Sequence, residues 1–270
     1  DVLDVAGTLD TGGGVLALGD GDDRLTIHDN TNIVGTVSAG AGNDTFDTHI
    51  DTVANLGAVQ GFETLAKTGA GTLNINGPLS SDFNTVNVQT GTLNVTATGS
   101  VVGSTGIPLT TTVAVGATLN VDGSYGCSAS DDTMTVAGTV SGSGTIDLCG
   151  GNDTLTLQDG AVLNNTISGG TGSDTLVLDV AGASSFDASR TTNFELLQKT
   201  NAGTATLTGS QSFSGGTTVS GGTLSVAGTL QTPTVSIAGG TTFNVDGTVN
   251  AGAGTPVLIS GDAGSNTVSV

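Results

Sequence analysis

The sequence predicts an all-β fold, a parallel β-helix wound at roughly 21 residues per coil. Three observations carry that expectation: a glycine-acid turn that recurs at a fixed interval, short alternating strands between the turns, and a composition too poor in aromatic residues for a globular core. The turn reads GDGDDRL at 19–25 and GAGNDTF at 40–46, which places Asp23 and Asp44 21 residues apart. It returns as SASDDTM at 128–134, CGGNDTL at 149–155 and GGTGSDTL at 169–176, with Asp132, Asp153 and Asp174 spaced by 21 and 21. An antiparallel sandwich would set turns about 8–12 residues apart without such long-range register. A fixed period of short strands and turns suits a solenoid, in which each repeat buries its apolar side only by stacking on its neighbour.

The strands follow from alternation. Leu73 and Ile75 alternate with Thr72, Asn74 and Asn76, and the pairs Val86/Val88, Leu93/Val95, Val113/Val115 and Leu119/Val121 do the same. A period of two, rich in β-branched residues and bounded by Gly, Asp, Asn and Ser, is the strand signal. The best helical candidate, NFELLQKT at 193–200, is too short to sustain itself. Stacked about 4.8 Å apart, roughly 12–13 coils give a rod about 60 Å long, with Val, Leu and Ile ladders inside and Thr, Asn and Ser ladders outside.

A longer duplication lies above the coil period. GFETLAKTGAGTLNING at 61–77 matches NFELLQKTNAGTATLTG at 193–209, 132 residues later. GTLNV at 91–95 is echoed by GTLSV at 222–226, and NVDG at 120–123 by NVDG at 244–247. A worn acid turn, GDAGSNTV at 261–268, carries Asn266 where Asp stood. The chain therefore reads as one solenoid segment, 1–270, duplicated as 1–123 and 124–270, with repeat stretches at 61–123 and 193–250.

Composition narrows the function classes. The 270 residues include 45 Gly and 4 Pro, with no Trp and 3% aromatics. With only 10% charged residues, and with β-branched residues abundant, the chain is not of the disordered type. The net charge of −20 leaves four basic residues: Arg24, Lys67, Arg190 and Lys199. That balance excludes nucleic acid, whose binders release counterions with Lys and Arg, and disfavours an anionic membrane surface. No run of about 18 apolar residues predicts membrane insertion. No signal peptide opens the chain, and DVLDVAGTLD reads as mid-repeat, as of an excised piece. The acid suits the solubility of an exposed rod, or a basic or cation-bearing partner.

Candidate sites are few. GGTGSDTLV at 169–177 satisfies the calcium nonapeptide pattern G-G-x-G-x-D-x-L-x, and stacked turns would offer carboxylates and carbonyls to Ca²⁺. Calcium arrays repeat every nine residues, however (about nine by that pattern), so the alternative is a tight glycine turn in which Asp caps its own backbone. Calcium at Asp23, Asp44, Asp132, Asp153 and Asp174 stays open. Stacking in register brings like charges about 5 Å apart, so these acids splay into solvent, hold protons or bind a cation. Cys127 and Cys149 lie 22 apart, one coil plus one residue, which stacking brings within bridging distance; a disulfide is expected, with two free buried thiols as the alternative. His28 and His49, 21 apart, stack on adjacent coils and read as solvated positions; zinc with Asp47 or Asp51 lacks a third ligand at a convincing spacing. Glu63–Lys67 and Glu195–Lys199 read as surface ion pairs. No nucleophile elbow is present, and Tyr125 is the lone Tyr, which leaves little aromatic platform for sugar; no catalytic residue and no resident cofactor are expected.

LAKTGAGTLNING at 65–77 and GSQSFSGGTTVSGGTLSVAGTL at 209–230 resemble the autotransporter-associated β-strand repeats of type V secretion passengers. The resemblance covers about half the chain, 61–123 and 193–250. It implies a right-handed parallel β-helix exported across a Gram-negative outer membrane to the cell surface or beyond. It implies too that the expected partners are a host-cell surface protein or glycan, or a second copy of the chain. Passengers resembling this one tend to hold few, closely spaced Cys, which fits a Cys127–Cys149 bridge. A secreted effector binding a specific host receptor or serum protein and a polysaccharide-acting enzyme are the alternatives.

Overall fold

A strand that is apolar at every second residue has one side to bury, and this chain buries it by winding around its own axis. The computed structural model describes residues 1–104, 106–252 and 255–269, and the side chains of all of these but Ser80, Ser81, Asp82 and Cys127. It is a parallel β-solenoid of about 12 turns at roughly 21 residues per coil. The first face is a 13-stranded sheet running from Val2–Val5 to Leu258–Gly261, one strand per coil. The second face runs from Thr8–Asp20 to Val162–Leu163 and resumes as a five-stranded sheet from Ala183–Asp187 to Thr267–Ser269. The third runs from Pro78–Phe83 to Thr191–Thr192 and resumes at Ser210–Ser212.

Register repeats from coil to coil. On the first face Thr45, Thr64, Thr85, Thr110, Thr133, Thr154 and Thr175 are direct partners in turn. One residue on, Phe46, Leu65, Val86, Thr111, Met134, Leu155 and Leu176 stack inward and are buried. Thr111 breaks this apolar column, and its hydroxyl meets Tyr125 Oη at 2.8 Å, so neither buried oxygen is orphaned. On the second face an Asn ladder faces outward: Asn74, Asn94 and Asn120 each donate Nδ2 to the Asn one coil earlier, at 3.0, 2.7 and 2.8 Å.

The 21-residue period is a mean. Thr85 partners Thr110, 25 residues on, whereas Thr217 partners Val235, 18 on. Corners absorb the difference while the strands keep register, because a one-residue slip would turn every apolar side chain outward. Within NFELLQKT, Leu196–Thr200 is a strand; the one helical turn among the described residues is the 3₁₀ turn Ala188–Arg190.

Candidate functional site

The acid turns form the corner that leads into the first face. At Gly151 (φ +134°), a Cβ would come within 2.5 Å of the Ser130 carbonyl oxygen of the neighbouring coil. Glycine is therefore required by backbone sign and by close approach together. With the corner drawn in so tightly, the Asp that ends each turn points inward. Asp23, Asp44, Asp132, Asp153 and Asp174 are all buried.

Each of these acids caps the coil before it. Asp44 Oδ1 accepts the Asp23 N–H at 2.6 Å, Asp153 Oδ1 accepts that of Asp132 at 2.6 Å, and Asp174 Oδ1 accepts that of Asp153 at 2.7 Å. Asp132 Oδ1 accepts the Leu109 N–H at 2.7 Å. The expectation that Asp caps its own turn holds at Asp132, whose Oδ2 accepts the Ser128 N–H at 3.2 Å; for the other acids it is corrected, since the group each one caps lies one coil away. The two Glu residues finish the ladders. Glu63 Oε2 accepts the Asp44 N–H at 2.6 Å, and Glu195 Oε2 accepts that of Asp174 at 2.8 Å. A second ladder runs the opposite way beside the first. Asp22 Oδ1 accepts the Asn43 N–H at 3.0 Å, Asp131 Oδ1 that of Asn152 at 2.7 Å, and Asn152 Oδ1 that of Ser173 at 3.1 Å. The pairs Asp22–Asp23, Asp131–Asp132 and Asn152–Asp153 each tie a coil to both neighbours.

Oδ2 of Asp23, Asp44, Asp153 and Asp174 is buried and meets no hydrogen-bond donor of the protein. Burial pushes the Asp153 carboxyl up to about 7; Asp132, Asp174 and Asp131 add to the rise, and the Asp132 N–H opposes it. Burial raises Asp174 as well, opposed by the Asp153 N–H and reinforced by Glu195, Asp131 and Asp147. Among the described residues no group of three or more His, Cys, Asp or Glu is placed to hold a metal ion.

The corner between the first and second faces uses both signs of charge. Asp29 Oδ1 accepts the N–H groups of Asp51 and Thr52, each at 2.8 Å, and these bonds hold its carboxyl below the usual range. Asp159 takes the Ala181 and Gly182 N–H groups in the same manner and is lowered likewise. Here the expectation of surface ion pairs fails. Lys67 and Lys199 are both 0% exposed. They point inward because each sits two residues beyond an inward leucine, Leu65 or Leu197. Lys67 Nζ donates to the carbonyls of Thr68 (2.7 Å), Gly69 (2.9 Å) and Thr90 (3.2 Å). Lys199 Nζ donates to those of Thr200, Asn201 (2.9 Å) and Gly221 (3.2 Å). Three ammonium protons meet three corner carbonyls from two coils. Burial pulls Lys67 down to about 8, with Asp51 and Asp29 opposing, and lowers Lys199 in the same direction.

His28 and His49 go separate ways: His28 Nε2 meets Asp4 Oδ1 at 2.8 Å, and His49 Nε2 meets Asp51 Oδ2 at 3.4 Å, all exposed. The side chain of Cys127 lies outside the described residues. Its partner in the expected bridge, Cys149, has φ +74° at the coil position that Gly170 fills one coil later. Among the described residues no helix is long and apolar enough to cross a membrane.

The passenger-associated-transport-repeat family matches residues 197–226. No curated protein and no solved structure matches the chain.

Proposed function

We propose, from the premise that this transport repeat on a β-solenoid fits an autotransporter passenger, that the chain is a non-catalytic surface rod. Its outer face would serve adhesion, self-association or host-protein binding. The repeat implies a secreted or surface protein. The observation that carries the reading is the unbroken column of outward Thr from Thr45 to Thr175. It offers the same hydroxyl and methyl group at every coil step, about 4.8 Å apart, over seven successive coils. A face of that kind engages a partner over breadth, and another copy of the chain presents the matching spacing. The acidic corners divide the possible partners. Two copies at −20 each repel, so self-association strengthens as salt rises. A basic host protein is held less tightly in the same series.

The test is a salt series on the purified chain, with clumping read by light scattering and binding read against a panel of host-surface proteins and glycans. Clumping that grows with salt supports self-association. Binding that weakens with salt supports a basic host ligand. Neither clumping nor binding at any salt would count against the surface reading.

A further inference from the structure

We propose that the inner acid column at Asp153 and Asp174 is a proton-gated clamp between coils, closed when protonated and strained when ionised. Both side chains are 0% exposed, and in each one carboxylate oxygen is committed to the amide of the previous coil while Oδ2 is buried without a donor. An ionised carboxylate in that setting carries charge on an oxygen that nothing solvates. A proton taken from solvent onto Oδ2 removes that charge and leaves Oδ1 on its amide.

In-register stacking repeats the acid at each coil step, so the column sets like charges against one another. The charges acting on Asp153 are Asp132 below, Asp174 above and Asp131 beside it. Those acting on Asp174 are Glu195, Asp131 and Asp147. All are acidic. The upward displacement of both carboxyls agrees with the geometry. Gly169 shows how closely the site is fitted, since a Cβ there would lie 2.9 Å from Asp174 Oδ2. Asp132 differs: its Oδ2 accepts the Ser128 N–H at 3.2 Å, so at this end of the column both carboxyl oxygens have donors. Acidification of the surroundings then tightens these coils, and alkalinity loosens them.

The experiment follows thermal and urea unfolding of the full chain from pH 5 to pH 8.5, in EDTA and in millimolar calcium. Beside the native chain stand Asp153→Asn, which keeps an Oδ1 acceptor without the charge, and Asp20→Asn as the exposed control, in the first coils and away from the column. The unfolding equilibrium of the native chain is expected to shift toward the unfolded state by up to about tenfold per pH unit for each proton released. Asp153→Asn should flatten that slope, and Asp20→Asn should keep it. Carboxyl ¹³C NMR of the native chain supplies a readout that needs no variant: Asp153 should titrate near neutrality. A profile that is flat or rising from pH 5 to pH 7 overturns the proposal, as does titration of Asp153 in the ordinary carboxylate range. So does calcium that abolishes the slope and raises the midpoint at pH 8, which would make the column a cation site.

Discussion

Replacing Lys199 by Met tests whether the buried ammonium pins a corner of the solenoid. Met keeps an unbranched stem of similar reach, so packing changes little. What goes is the bonding of Nζ to the carbonyls of Thr200, Asn201 and Gly221. Each hydrogen bond from a charged donor contributes about 1.5–3 kcal/mol. Two effects reduce the sum. Asn201 is exposed, so water reaches its carbonyl, and removing the charge also removes the cost of burying it. The net loss is then about 2–4 kcal/mol, well short of three full bonds. In a solenoid the loss is local, because each coil leans only on its neighbours. The amides of Gly203, Ser220 and Thr223, which bond across the coils meeting at this corner, are the reporters. Their hydrogen exchange should accelerate roughly 30- to 700-fold, at about 1.4 kcal/mol per tenfold. Arg190→Met is the control. Its exposed pair with Asp187 at 3.8 Å should be worth under about 0.5 kcal/mol. If Lys199→Met accelerates these amides no more than Arg190→Met does, the corner does not depend on the ammonium and the reasoning is wrong.

Three further predictions follow from the corners. Gly151→Ala puts a methyl 2.5 Å from the Ser130 carbonyl oxygen at φ +134°, and should cost about 1–3 kcal/mol in strain, read as a lower urea midpoint. The pH profile of stability should pass through a minimum between about pH 7 and 8, bounded by Asp153 at about 7 and Lys67 at about 8. Asp153 is raised when folded, so its contribution is full below the unfolded carboxylate value and is lost as pH climbs through about 7. Lys67 is lowered when folded, so its penalty is relieved as pH climbs from about 8 toward the ordinary lysine value. Below pH 4 the lowered carboxyls of Asp29 and Asp159 take protons and stability falls again. A urea midpoint that climbs steadily from pH 5 to pH 7 contradicts this profile. For the proposed Cys127–Cys149 bridge, thiol titration of the unreduced, urea-unfolded chain should find no free thiol, and two thiols would refute it.

The fold was legible because a period of two and a period of 21 are both local patterns repeated many times, and Thr133, Thr154 and Thr175 do lie in register as their spacing implies. The roles of the charged residues were harder to read. In any short window Asp153 looks like a solvated turn acid, and only the Asp132 amide, 21 residues earlier, makes it a buried acceptor. The period shows that the two turns are neighbours. It does not show whether an inward carboxylate reaches its own backbone or the next coil's, since that depends on how tightly the glycines draw the corner in. For Lys67 and Lys199 the signal was present in the alternation, two residues after Leu65 and Leu197, but chemical type argued for the surface and masked it.

The exceptions to the composition mark the most committed positions. The chain has two Glu residues, and each ends an Asp ladder by taking the last amide at one methylene more reach. Two of its four basic side chains are buried, and each gathers carbonyls at a corner. These four residues occur as Glu63 with Lys67 and Glu195 with Lys199, one set in each copy of the duplication. Glu and Lys are thus separated by function across one strand: Glu, just before it, closes the acid corner, and Lys, near its end, closes the carbonyl corner. The acidity of the chain follows from the same division. Stacked parallel coils leave unpaired amides wherever the chain leaves a strand, and a carboxylate caps such an amide at little cost in volume. Much of the net charge of −20 is therefore engaged in holding the corners, and the outward Thr and Asn ladders run between them.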